Sequence, residues 1–93
     1  MRGMYKPALY ENREKSGKFV HWERSLRQFI KVQGLDPLCN TVEEQHCRTV
    51  TEICCTGEAL AYVHRLNSTC PPEAPVWRFE GLLSALRQHF TQP

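Results

Sequence analysis

The chain lacks most features that announce a chemistry directly. It has no apolar run approaching the roughly 20 residues that a membrane-spanning helix needs. Its first 18 residues, MRGMYKPALYENREKSGK, are polar and basic and hold no apolar stretch of the kind an export signal carries. The expected location is therefore the cytoplasm, with no membrane partner. There is no C-x-x-C, no H-E-x-x-H, no G-x-S-x-G and no glycine-rich phosphate loop. These absences remove the common zinc, zincin, hydrolase and nucleotide-binding readings. A formal net charge of only +2 is weak for a nucleic-acid binder, and no helix-turn-helix spacing is present. No internal repeat or low-complexity segment is visible.

The remaining chemistry-bearing residues are scattered. The five cysteines (39, 47, 54, 55 and 70) are odd in number, which favours thiols in a reducing compartment over a disulfide framework. Cys47 and Cys54 suit inward-facing helix positions, where a thiol acts as a small hydrophobe. Cys54 and Cys55 are adjacent and point apart on a helix, so they make a poor zinc half-site. Cys39 precedes a helix start, a setting that favours thiolate, but the sequence places no histidine beside it. Glu43 to His46 is one E-x-x-H, whereas di-iron carboxylate bundles need two such motifs and two further glutamates. The reading is no catalytic residue, no metal and no cofactor. Asn67-Ser68-Thr69 matches a glycosylation sequon, a short pattern read as chance without an export signal.

Ninety-three residues suggest one domain with a thin stability margin, which oligomerisation would widen. Residues 1–16 have no helical period and read as an extended arm holding Met4, Tyr5, Leu9 and Tyr10. Residues 17–93 read as a helical domain. The first helix spans about 17–33, with Phe19, Trp22, Leu26 and Phe29 at steps of three and four and Val20 and Ile30 beside them. Ser16 fits its N-cap. Gly34 fits a left-handed end, with Leu35 folding back on the last turn.

Residues 41–67, TVEEQHCRTVTEICCTGEALAYVHRLN, read as one continuous middle helix. Thr41 with Glu44 forms a capping box, and Asn40 with Glu43 offers the same chemistry one residue earlier. The expected core stripe is His46, Val50, Ile53, Gly57, Leu60 and His64. A glycine inside a helix costs about 0.8–1 kcal/mol relative to alanine, and a break at Gly57 is the alternative. Pro71 and Pro72 stop the middle helix. The last helix spans about 75–90, opening at Pro75 and burying Val76, Phe79, Leu83, Leu86 and Phe90, with Leu82 and Trp77 adding area.

The expected fold is thus all-α: three main helices and an arm, with the core completed by homodimerisation. A 27-residue middle helix would be roughly 40 Å long, too long for shorter neighbours to cover. Its last turns are apolar nearly all round, which calls for burial on every side. Gly57, Leu60, Ala61, Tyr62, Val63 and Leu66 are therefore the predicted dimer interface. Residues 1–31 carry eight Lys/Arg against three Asp/Glu, and the remainder four against seven. A basic first helix facing an acidic partner places Trp22, Arg24, Arg27, Phe29 and Lys31 as predicted partner-binding residues, with Tyr62 and Trp77 as further aromatic anchors. The expected function is regulation by protein–protein binding, as an inhibitor, an antiactivator of a transcription factor or an adaptor. The alternative is a nucleic-acid-binding transcriptional regulator that uses the basic arm and first helix.

Overall fold

A computed structural model describes residues 16–91; residues 1–15 of the predicted arm lie outside them, and Ser16 is the first residue of a helix. The described residues form four helices: α1 (Ser16–Val32), α2 (Thr41–Ile53), α3 (Gly57–Thr69) and α4 (Phe79–Thr91). A single 3₁₀ turn, Pro75–Trp77, precedes α4. The all-helical expectation holds for the described residues, and the count is four helices, not three.

The outer two helices follow their apolar spacing. In α1, Phe19, Trp22, Leu26 and Ile30 are buried, and Phe29 is half-buried at the edge of that stripe. Gly34 adopts φ +81°, and its amide donates to the Lys31 carbonyl (3.0 Å) while the Leu35 amide donates to Ile30 (3.1 Å). This is the Schellman closure that Gly34-Leu35 predicts. In α4, Phe79, Leu82, Leu83, Leu86 and Phe90 are buried. That helix is the packing centre, in contact with α1, α2 and the 3₁₀ turn.

The middle of the chain differs from the single helix read in the sequence. α2 ends at Ile53, where the Cys54 amide donates to both Val50 and Thr51 carbonyls. Thr56 is extended and serves as N-cap residue of α3. Gly57 has φ +53°, a left-handed conformation that side-chain-bearing residues rarely adopt. The glycine therefore marks a turn between helices. Two consecutive cysteines, Cys54 and Cys55, are both buried at this corner. On a continuous helix their side chains would diverge by about 100°. With the break, α2, α3 and α4 are each 13 residues long. The length mismatch that argued for a covering second chain is removed.

The last helix also starts later than its sequence suggests. Pro75 opens the 3₁₀ turn, Arg78 is extended (φ −93°, ψ 157°), and α4 begins at Phe79. Gly81, in the first turn of α4, lies directly against the Pro75 carbonyl, so a β-carbon there would fall inside that carbonyl. Helix propensity alone would make Gly81→Ala stabilising by about 0.8–1 kcal/mol. The close approach reverses the sign, and overpacking of this kind costs about 1–3 kcal/mol. Gly81→Ala is expected to lower the urea midpoint, with the loss read from equilibrium unfolding followed by circular dichroism.

Candidate functional site

α2 is built with its polarity reversed. Its core side carries Glu44, Cys47, Arg48 and Thr51, all buried. Arg48 is only 4% exposed. Its Nε donates to the Val76 carbonyl (2.9 Å), Nη1 to Glu52 Oε2 (2.6 Å) and Nη2 to Asn67 Oδ1 (3.0 Å). Asn67 Nδ2 closes the circuit on Glu52 Oε2 (3.0 Å). The guanidinium also lies 5.0 Å from the Trp77 ring centroid, and Trp77 Nε1 donates to the Pro71 carbonyl (2.7 Å). One side chain thus ties α2 to α3 and to the loop before α4. Charge-assisted bonds of this geometry are the stronger kind, and a buried guanidinium requires them.

Glu44 does comparable work at the other end of α2. Its carboxylate accepts from Arg78 Nε (3.0 and 2.9 Å) and from the Phe79 amide (3.2 Å). Phe79 is the first residue of α4, so a side chain of α2 caps the N-terminus of another helix. The α2 cap itself uses the Asn40 pairing: Asn40 Oδ1 accepts from the Glu43 amide at 2.8 Å. The Thr41–Glu44 capping box does not form, because Glu44 is turned inward.

The outward side of α2 exposes Val42 and Ile53 among the polar residues Thr41, Gln45, His46 and Thr49. Positions 42, 46, 49 and 53 share one helix face at steps of four and three. Val42 is 67% exposed and Ile53 is 53% exposed, and Leu38, just before the helix, is 90% exposed. The predicted core stripe is therefore corrected. His46, Ile53, Gly57 and His64 are exposed, while Val50 and Leu60 are half-buried. Apolar periodicity missed the true phase because the inward positions are charged or small. The available signal was Glu44, Arg48 and Thr51 at steps of four and three, with Glu52 four residues after Arg48.

The predicted dimer face on α3 is divided by the fold. Val63 is 1% exposed and belongs to the core. Leu60, Tyr62 and Leu66 pack partly against that core, while Gly57 and Ala61 are exposed. Tyr62 stacks on His89 of α4 at 4.0 Å and 8°. Much of the apolar surplus read in the last turns is thus taken up by the chain itself.

On α1, Trp22 is not a surface anchor. It is buried against Phe19, with ring centroids 5.4 Å apart. Arg27 is held by Glu23 (2.8 Å) and Glu80 (2.8 Å), and Arg87 also reaches Glu23 (2.8 Å). Arg24 and Lys31 are exposed, with no carboxylate partner among the described residues. A depression of about 410 Å³ lies between the end of α1 and the start of α4, floored by Ile30, Leu35, Pro37 and Phe79. A shallower one of about 460 Å³ runs along α1 past Val20, Arg24 and Gln28. Both include Arg27 and Lys31 in their walls.

No disulfide forms among the described residues, which include all five cysteines. Burial pushes the Cys55 thiol up to about 12, with Cys54 and Glu52 adding to the effect, and burial likewise raises Cys47. Among the described residues no three His, Cys, Asp or Glu side chains are grouped to hold a metal ion, and no helix is long and apolar enough to cross a membrane. Comparison with protein-family models, curated proteins and solved structures yields no match.

The carboxylates set the acid response. Hydrogen bonds from Arg78 and Phe79 hold Glu44 below its usual range despite burial, and Arg27 does the same for Glu80. Burial raises Glu23, but Arg87 and Arg27 outweigh it and bring that carboxyl down as well. The unfolded chain then binds more protons than the folded one in acid. This stability is fully present above about pH 4.5 and is lost as pH falls through the lowered folded values. Urea midpoints measured from pH 7 to pH 3 should fall, and Glu44→Gln should shrink the difference between the two ends. Arg48→Ala should cost about 3 kcal/mol at pH 7, because it strands Glu52 and the Val76 carbonyl; equilibrium unfolding measures it.

Proposed function

We propose that this chain is a small helical regulatory protein that works by protein–protein binding, as an inhibitor, antiactivator or adaptor, and that the outward face of α2 is where it self-associates. The observation that carries this reading is the reversed polarity of α2. Leu38, Val42 and Ile53 face outward, while Glu44 and Arg48 occupy the core side. Exposed apolar surface of this kind marks an interaction site. His46 and Thr49 complete the face between Val42 and Ile53. An isologous pairing of two α2 helices in antiparallel order sets Val42 of one copy near Ile53 of the other, with His46 and Thr49 between them. The interface expected on α3 thus moves to α2.

Nucleic-acid binding has less behind it. Of the cations on α1 named for that role, Arg27 is already matched by Glu23 and Glu80. Arg24 and Lys31 are left among the described cations of α1, and two phosphate contacts supply little counterion release by themselves; the basic arm of that reading lies outside the described residues.

Sedimentation velocity at micromolar concentration tests the proposal. The full chain should sediment as a dimer. Val42→Glu and Ile53→Glu should each give a monomer with unchanged helix content, since both side chains are exposed. A wild-type monomer across the micromolar range, or dimers that survive both substitutions, would remove α2 as the self-association face.

A further inference from the structure

We infer that the trough along α1 is a docking site for an acidic amphipathic helix of a partner protein. The inference rests on reading the chain as a binding protein, and it names the chemistry of the partner. The two depressions adjoin at Arg27 and Lys31, which line both, and together they follow α1 from Val20 to Pro37. Val20 to Lys31 spans roughly 16 Å of helix axis, the length of about three turns of a docked helix. The floor at one end is apolar: Ile30, Leu35, Pro37 and Phe79. Val20, half-exposed, continues it at the other.

The charges around the trough are unequal in what they leave unanswered. Arg27 lies 5.6 Å from the Phe79 ring centroid and forms a wall, but its charge is matched by Glu23 and Glu80. Asp36 accepts a hydrogen bond from the Leu38 amide (3.0 Å) and lies at the far end. Arg24 and Lys31 remain as exposed cations with no carboxylate partner among the described residues. They are seven residues apart, two turns of α1, or roughly 10 Å along the axis. A partner helix that lays an apolar stripe on the floor presents side chains seven apart at the same interval. Carboxylates at two such positions would meet Arg24 and Lys31 together. The carboxylates of Glu23, Glu80 and Asp36 beside the trough disfavour a phosphate backbone, which would place continuous negative charge against them. A peptide helix can avoid them by placing neutral or basic residues there.

Phage display of helical 16-residue peptides against the full-length protein tests the assignment. Enriched sequences should carry apolar residues at three-four spacing with acidic residues two turns apart. A synthetic peptide of the enriched sequence, followed by fluorescence anisotropy, should bind Arg24→Glu/Lys31→Glu at least tenfold more weakly than wild type. Arg24→Gln/Lys31→Gln should lie between the two, with circular dichroism confirming that both variants are folded. Enrichment without acidic bias, or equal binding to the charge-reversed variant, would overturn the proposal. So would a duplex-DNA gel shift that the same variant abolishes while no acidic peptide is selected. The monomeric Val42→Glu variant should bind the peptide as wild type does. Peptide binding can therefore fail while self-association stands, or stand while self-association fails.

Discussion

Two charged side chains on the inward face of α2 constrain most of what surrounds them. A guanidinium or carboxylate withdrawn from water is costly unless every hydrogen-bonding direction is answered. Arg48 draws three acceptors from the chain: one from α2 itself, one from α3 and one from the backbone of the 3₁₀ turn. Glu44 needs donors, and it finds Arg78 and the free amide of Phe79. Residues 71–79 must therefore pass close to α2 in one conformation. That requirement sets Pro75–Trp77 as a short turn, extends Arg78, delays α4 to Phe79 and brings Pro75 onto Gly81. A buried ion pair is weak evidence for net stability. Here its visible consequence is positional, since it fixes where α4 begins and how it meets α2.

The same arrangement accounts for the surface. With Glu44 and Arg48 on the inward side, Val50 packs partly against the core while Val42 and Ile53 face outward. The functional surfaces proposed above lie on different helices and differ in kind. The face of α2 exposes Val42 and Ile53 and is flanked by the loop carrying Leu38, whereas the trough on α1 is edged by cations with no carboxylate partner among the described residues. An apolar face suits a second copy with the same face, and a one-sided cationic edge suits an acidic partner. A regulator that both self-associates and captures another protein would use two such surfaces without competition between them.

How much of this was legible in the sequence depended on whether the core side of each helix is apolar. α1 and α4 were legible because Phe19, Trp22 and Leu26, and likewise Phe79, Leu83, Leu86 and Phe90, recur at three-four spacing on one face. Gly34-Leu35 was legible because a left-handed glycine followed by a leucine has one common use at a helix end. α2 was read in the wrong phase. Apolar periodicity selects Val50 and Ile53, and nothing in a hydrophobicity pattern points to Glu44 or Arg48 as inward residues. Long-range partners such as Val76, Asn67 and Phe79 decide that, and they are distant in sequence. Gly57 was recognised as an anomaly, but its propensity cost fits a kink, a close approach or a turn equally well. The backbone angle decides for the turn. Val63 reads as surplus surface only while 41–67 is one helix, and the corner at 54–56 turns it into the core; Trp22 reads as an aromatic anchor, but it is buried against Phe19.

The distribution of volume in the core then bears on how binding and stability are linked. The large buried side chains come from α1 and α4: Phe19, Leu26, Phe79, Leu82, Leu83 and Leu86. α2 and its corner contribute Cys47, Thr51, Cys54 and Cys55, which are small. Hydrophobic stabilisation scales with the apolar area withdrawn from water, so the α1–α4 pair carries most of it. α2 is held instead by the directed bonds of Glu44 and Arg48, which have a steep dependence on geometry and little reserve once one is lost. A second copy covering Val42 and Ile53 would add apolar burial to the helix that has least of its own. Because such a partner binds only the folded chain, association would raise stability with concentration. It would do so chiefly through α2. Self-association would therefore regulate how firmly α2 is seated, whereas capture of an acidic helix would draw on the α1–α4 pair, where most of the apolar burial lies.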